Sequence, residues 1–257
     1  MAAIALTIAG SDPSGGAGIQ ADLKTFHRFR VYGEAVITLI TVQNTQTVAR
    51  VETLPPDLVS QQIQAVLSDI PPNAAKTGAL GTAKIVQAVA ELARSFTFPL
   101  VVDPVMFSKH GARLISPEAE EVLKRELLPY AFLVTPNIPE AEALTGVTIR
   151  DAGSLAEAAE RLLDFGCKGA LVKGGHLEGE PVDVLRWPGP PCSFSGTRVD
   201  TLHTHGTGCT YSAAITAGLA LGKSLPDAIS DAKQFVQRAI EQAPGLGHGR
   251  GPLNHMV

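Results

Sequence analysis

Apolar residues in this chain come in short runs that alternate with longer stretches of helical periodicity. Ala3–Ala9 reads as a buried strand, and Glu34–Val42, Ala74–Thr77, Phe98–Val102, Phe132–Thr135 and Ala170–Lys173 read as further strands. Ile19–Phe29, Asp57–Ser68, Ala83–Arg94, Pro117–Leu127 and Ser154–Phe165 carry apolar residues at helical spacing, one buried stripe each. Start signals support several of these helices. Asp57 follows Pro55-Pro56 as an N-cap, Pro117 suits a first helical position, and Ser154-Leu-Ala-Glu157 fits a capping box. Val182–Trp187 and Cys192–Val199 read as antiparallel strands joined by Pro188-Gly-Pro-Pro191. Gly208–Leu221 and Pro226–Gln242 are the last helices, and Gly245–Asn254 reads as a glycine-rich loop packed on the body.

This alternation implies βαβ units, hence an α/β protein with a largely parallel central sheet and a small antiparallel edge. No internal repeat, low-complexity tract or linker interrupts it, so residues 1–257 are expected to form one domain. In such sheets ligands bind outside the carboxyl ends of the strands. The Gly-rich and polar punctuation falls at those ends: Gly10–Gly18, Gly78, Asp103, Asn137, Gly174-Gly175 and Gly206–Gly208.

Composition narrows the function. With 45% hydrophobic and 18% charged residues and a net charge of −4, the chain is globular and mildly acidic, which argues against a dedicated nucleic-acid binder. The cysteines, Cys167, Cys192 and Cys209, form no CxxC pair, which excludes a disulfide scaffold or a four-cysteine zinc site. Thr201–Gly222 is the longest stretch without Asp, Glu, Lys or Arg, but its Thr, His and Gly content makes it no membrane span. The opening residues lack the basic region of a signal peptide, and a cytoplasmic protein is expected.

Two motifs mislead. Gly16-Ala17-Gly18-Ile19-Gln20-Ala21 satisfies a dinucleotide-binding fingerprint, but Glu34 stands at the start of the next strand where an acid is needed at its end. Ala217–Ser224 resembles a P-loop but lies at the end of a helix, so Gly222-Lys223 reads as a C-cap.

His203-Thr-His-Gly206-Thr207-Gly208-Cys209, followed by an apolar helix, is the strongest chemical signal. Free amides at a helix N-terminus hold an anion such as a transferring phosphoryl group, and the same field favours a Cys209 thiolate. The stretch is equally compatible with a helix start that needs glycines around a small buried cysteine.

Gly206-Thr-Gly-Cys209 resembles the anion-hole motif of the ribokinase superfamily. Ala5–Thr25 resembles the opening of its vitamin-kinase branch, and within it the bacterial hydroxymethylpyrimidine/phosphomethylpyrimidine kinases of thiamin biosynthesis. Further matches run in order: Val42–Thr45, Asp103–Met106, Thr135–Glu142, Lys173–His176 and Gly247–His255. The resemblance implies a ribokinase-like three-layer α/β/α fold. The direct step from strand to helix near Gly18 leaves no room for the lid of sugar kinases. It implies two ATP- and Mg²⁺-dependent transfers, to the hydroxymethyl group and then to the resulting monophosphate. Cys209 would be the candidate base, with Gly206, Thr207 and Gly208 as the anion hole. Gln43, Asp22, the backbone at Gly10 and Val105 would hold the aminopyrimidine. Asn137 and Lys173 would face the nucleotide phosphates, and Asp103 and Glu140 the metal. Asn137-Ile-Pro-Glu140 also reads as a capping box.

The second acceptor is already largely dianionic at neutral pH, so Cys209 is expected to assist only the first transfer. Ala79 replaces a methionine usual in the family, and Phe107–Ala112 departs from its common wording. His176, His203 and His205 read as loop residues and not as a metal site, and Trp187 as packing. Small molecules are the expected partners, and a homodimer is the assembly common among such proteins. The alternatives are a pyridoxal or pyridoxine kinase of the same branch, a non-catalytic pyrimidine-binding protein, and a dehydrogenase.

Overall fold

The computed structural model describes residues 2–107, 111, 113–175, 177 and 179–257. Ser108, Lys109, His110 and Ala112 of the departing loop, and His176, lie outside the described residues. Among the described residues nine strands form one sheet: β1 (Ile4–Ser11), β2 (Tyr32–Gln43), β3 (Val48–Thr53), β4 (Ala74–Thr77), β5 (Leu100–Val102), β6 (Leu133–Val134), β7 (Ala170–Val172), β8 (Val182–Arg186) and β9 (Cys192–Ser195). The spatial order is β3-β2-β1-β4-β5-β6-β7-β8-β9. From β2 through β1, β4, β5 and β6 to β7 the neighbours pair in parallel, while β3, β8 and β9 pair antiparallel.

The expected edge hairpin is present, but a second antiparallel edge, β3, has no counterpart in the sequence reading. Val48–Thr53 mixes polar and apolar residues and is largely exposed, so it lacks the signal of a buried strand. Asn44 makes the turn before it, its Oδ1 accepting from the amides of Gln46 and Thr47.

The helices are α1 (Gly18–Arg28), α2 (Pro56–Asp69), α3 (Ala83–Ala93), α4 (Pro117–Val122), α5 (Ile138–Thr145), α6 (Ala152–Leu163), α7 (Thr207–Ala220) and α8 (Leu225–Glu241). Side-chain alternation on the strands sorts them into two layers. Leu100 and Val102 of β5 pack with residues of α2 to α6, whereas Val101 packs with α7 and α8 on the other face. Phe26 of α1 joins the second layer against Ala213 and Ala217 of α7. Among the described residues no helix is long and apolar enough to cross a membrane.

Local chemistry moves several boundaries. Pro55 is the N-cap of α2, which places Asp57 inside the first turn. The box on α6 is formed by Asp151 and Ser154, not by Ser154 and Glu157: the Ser154 amide donates to Asp151 Oδ1 and Ser154 Oγ accepts from the Asp151 amide. The helix expected over Pro117–Leu127 keeps α geometry only to Val122. Leu123–Leu127 widen into a π turn and Leu128–Tyr130 tighten into a 3₁₀ turn. Helix α5 is foreshadowed only by its capping box. Gly222, at φ +79°, does close α7: its amide donates to Leu219 and that of Lys223 to Gly218, a Schellman pair.

The C-terminal segment packs on the body as expected. The amides of Gly249 and Arg250 donate to Thr45, and His255 Nε2 lies 3.0 Å from Thr210 Oγ1 on α7. Burial, with Lys24 nearby, pushes the His255 pKa down to about 4. The folded chain therefore resists a proton that the unfolded chain takes up below about 6.5. Stability is full above that pH and is lost as pH falls toward 4, by about 3 kcal/mol from this group. Urea unfolding at pH 7 and pH 4 should show His255→Gln losing correspondingly less between the two than the parent; equal losses would remove His255 as the cause.

Candidate active site

Strands β1, β4, β5, β6 and β7 all end at one cavity of about 780 Å³. Gly10, Gln43, Gly78, Ala79 and Val105 line the side nearer β1 and β2. Pro181, Thr197–Val199, Val236 and Ile240 line the side nearer β8, β9 and α8. Asp103, Asn137, Glu140, Lys173 and Gly206–Cys209 also line it. Eleven of the twelve residues singled out from the sequence thus reach one cavity, Asp22 being the exception.

Gly206, Thr207 and Gly208 begin α7, so their amides sit at the positive end of its dipole. Gly206 takes φ +81°, and a Cβ there would lie 1.8 Å from the Gly16 carbonyl oxygen. Only glycine fits. A Cβ on Gly208 would lie 3.5 Å from Lys173 Nζ and 3.8 Å from Asp103 Oδ2. The backbone expected to form the anion hole therefore stands beside the pair those side chains form, Lys173 Nζ to Asp103 Oδ1 at 3.1 Å. Thr135 Oγ1 and Ser212 Oγ also donate to Asp103. Burial alone would lower the Lys173 pKa, but Asp103 and Glu140 hold it above the usual lysine range. A fixed positive charge thus faces the cavity beside the helix N-terminus.

Asn137 and Glu140 do form the capping box: Asn137 Oδ1 accepts from the Glu140 amide and Glu140 Oε2 from the Asn137 amide. Both still line the cavity, so cap and cavity wall are the same residues. Burial pushes Glu140 up to about 7; Lys173 opposes this and Asp103 adds to it.

Two expectations are corrected. Asp22 does not line the cavity. It is wholly buried, its Oδ2 accepting from Lys76 Nζ at 2.8 Å and from Thr7 Oγ1 at 2.6 Å. Sequence spacing places it on α1 but cannot say that a lysine on β4 faces it. Cys209 lines the cavity, yet its thiol is not activated. Desolvation pushes its pKa up to about 12 against the opposing charge of Lys76, with Asp22 and Asp103 adding to the rise. A thiol shifted in that direction is neutral at pH 7.

Sequence reasoning missed Lys76, Ser212, Thr135, Asp12 and the pairing of His205. It also missed Lys233, whose Nζ lies 2.6 Å from Asp183 Oδ2, while Asp183 Oδ1 accepts from the Gly174 amide beside Lys173. Asp12 carried a signal, since Asp-Pro-Ser reads as an Asx turn.

Residues 12–254 match the family model described as phosphomethylpyrimidine kinase. The chain is 47% identical over 259 residues to a hydroxymethylpyrimidine/phosphomethylpyrimidine kinase of Rhizobium meliloti, covering 99% of this chain and 97% of that one. It is 48% identical over 254 residues to a thiamine biosynthesis bifunctional protein of Geobacter sulfurreducens; this covers 98% of the chain but only 52% of that protein, so the chain spans about half of its length. A crystal structure of phosphomethylpyrimidine kinase from Clostridium difficile 630 superposes with a TM-score of 0.83 at 45% identity, over 93% of this chain and 99% of that one. A pyridoxal kinase from Staphylococcus aureus, solved with AMP-PCP and pyridoxal, superposes with a TM-score of 0.91 at 36% identity, over 100% of this chain and 94% of that one. The layered, mainly parallel sheet and these likenesses bear out the ribokinase-like fold.

Proposed function

The chain belongs to the phosphomethylpyrimidine kinase family and is a phosphotransferase, and from that premise we propose that it moves the γ-phosphoryl group of ATP to 4-amino-5-hydroxymethyl-2-methylpyrimidine and then to the resulting monophosphate. The observation that carries this reading is the stack of Gly206–Gly208 amides beside the Lys173–Asp103 pair, between the two sides of one cavity. The pyrimidine occupies the side with Gly10, Gln43 and Val105. An amide side chain such as Gln43 offers a donor and an acceptor to an aminopyrimidine edge. The nucleotide occupies the side toward β8, β9 and α8, its phosphates facing Asn137 and Lys173.

Among the described residues no three His, Cys, Asp or Glu side chains cluster to hold a metal by themselves. Two carboxylates, Asp103 and Glu140, fit Mg²⁺, which takes one or two such oxygens along with phosphates and water. Mg²⁺ held there with ATP supplies neutralising charge to the phosphates. The chain's residues do the rest: the Gly206–Gly208 amides and Lys173 meet the charge that builds on the transferring group, and Ser212 and Thr135 hold Asp103 in place. A cytoplasmic enzyme, one domain over residues 1–257 and a homodimer complete the proposal, on the strength of the family likeness.

A neutral Cys209 removes no proton as a thiolate. Phosphoryl transfer through a loose transition state needs positioning and charge more than a strong base. Cys209→Ala is therefore expected to slow the first transfer by about tenfold or less, well under the 10²–10⁴ of a general base, and to leave the second within about twofold. Single-turnover rates for both transfers check this. A loss above a hundredfold would restore a base role, and equal losses would remove the selectivity for the first step.

Phosphorus NMR with Mg·ATP tests the function, using the hydroxymethylpyrimidine and pyridoxal separately. A monophosphate followed by a diphosphate of the pyrimidine supports the proposal. Turnover of pyridoxal alone moves the chain to the second reading, a pyridoxal kinase, which the 0.91 superposition on the Staphylococcus aureus enzyme and the small Ala79 in the cavity wall favour. Binding without turnover of either would leave a non-catalytic binder.

A further inference from the structure

His205 Nε2 lies 2.8 Å from Asp12 Oδ2, although the two are 193 residues apart in the chain. Both are buried, at 5% and 1% exposure, yet both touch the cavity wall. The Asp12 carboxylate shapes the loop that carries it. Its Oδ1 accepts from the Ser14 amide, and its Oδ2 from Ser14 Oγ and the Ala17 amide. That loop delivers Gly18, where α1 begins. On the other side, His205 directly precedes Gly206, and the Gly206 Cα faces the carbonyl of Gly16 in the same loop. The His205 amide also donates to the Gly251 carbonyl at 3.0 Å. Three segments that are remote in sequence therefore converge on the residue before the anion hole.

A carboxylate is an acceptor only, so the His205 ring must present a proton on Nε2. Burial would raise the Asp12 pKa, but the bonds from His205 and Ser14 hold it below the ordinary carboxylate range. The partner of the ring is thus a charged acceptor at neutral pH, and charge-assisted bonds fix orientation more strongly than neutral ones. The backbone of His205 leads directly into Gly206, the N-cap of α7, whose amides follow.

We propose that Asp12 and His205 form a clamp that aims the Gly206–Cys209 amides, which makes them positioning residues for the phosphoryl transfer. The proposal rests on the kinase reading of this cavity. Loss of the clamp should leave both binding regions in place and misdirect the donors that matter only while the phosphoryl group moves. Misplacement by about 1 Å is enough to cost a hundredfold in rate.

The test compares the full chain with His205→Ala, His205→Gln and Asp12→Asn. Gln places an amide N–H near the position of Nε2 and should restore the bond. His205→Ala is expected to lower kcat by about a hundredfold with KM for Mg·ATP and for the acceptor within about threefold. His205→Gln should recover at least about tenfold of that loss. Hydrogen–deuterium exchange supplies a readout that needs no acceptor: in His205→Ala the amides of 206–209 should exchange about tenfold faster or more while those of the β4 and β5 strands do not change. Unchanged exchange at 206–209 would overturn the clamp. So would a KM that rises as far as kcat falls, or a His205→Gln variant as slow as His205→Ala. If His205→Ala fails to fold, Asp12→Asn and His205→Gln carry the same comparison. A parent protein that turns over neither acceptor would sink the kinase reading alone, because the exchange measurement still decides the clamp.

Discussion

Asp22→Ala is expected to destabilise the folded chain by about 3–5 kcal/mol, the range for removing one partner of a buried ion pair. Asp22 and Lys76 are both 0% exposed, with Nζ 2.8 Å from Oδ2. Burial raises the Asp22 pKa and would lower that of Lys76, but the mutual attraction, with Asp103 adding to it, keeps Lys76 above its ordinary value. Without Asp22 the ammonium loses its nearest counter-charge and Thr7 Oγ1 loses its acceptor. For a chain of this size the cost corresponds to a fall in Tm of about 6–20 °C. The sign of the pH dependence is distinctive. In the variant the folded-state pKa of Lys76 drops below its unfolded value of about 10.4, so stability is low at neutral pH and returns as pH rises through that window. Thermal melts at pH 7 and pH 9.5 would show the deficit shrinking. A second check is Asp22→Leu combined with Lys76→Met, which removes both charges and should recover most of the stability, because apolar replacement of a whole buried pair is often neutral. A single variant that melts like the parent would mean that the pair contributes nothing.

Gly206→Ala should lower kcat by about 10²–10³, the cost of losing one donor of an anion hole. The residue is held at φ +81° and a Cβ would stand 1.8 Å from the Gly16 oxygen. Backbone cannot move away as a flexible side chain does, so Gly206 and the Gly16 loop must separate. Separation turns the amides at the start of α7 away from the Lys173–Asp103 pair beside which Gly208 stands. The positive φ adds strain for any residue with a Cβ, of order 1–2 kcal/mol. KM for Mg·ATP should change little, since the side of the cavity proposed for the nucleotide is built from β8, β9 and α8. Steady-state kinetics with a thermal melt separates the two effects. A variant that keeps kcat but loses Tm would make Gly206 a folding residue only.

Much of the architecture was legible because it rests on patterns with a local cause. A buried parallel strand is mostly apolar on both faces, so β1, β5 and β7 stood out as runs, whereas β4 reads Ala-Ala-Lys-Thr and buries a lysine. Strand β3 did not, since an exposed edge tolerates Arg50, Glu52 and Thr53. The capping box on α5 was visible as Asn137 and Glu140, yet the helix behind it has only eight residues and little periodicity to read. Most of the cavity residues were legible as a set because the carboxyl ends of parallel strands converge by topology, and Gly10, Asp103, Asn137 and Lys173 mark such ends.

What the sequence determined by itself is therefore the layered fold, the strand-end residues that line the cavity and the glycine-bearing start of α7. Tertiary structure alone decided which charges meet and how much water they keep. Nothing local relates Asp12 to His205 or Asp22 to Lys76, because those pairs form only when segments far apart in the chain close on one another. Nor could the motif around Cys209 reveal the state of its thiol. The helix field that favours a thiolate is a local property, whereas the desolvation that pushes the thiol pKa up depends on the tertiary surroundings of the sulfur.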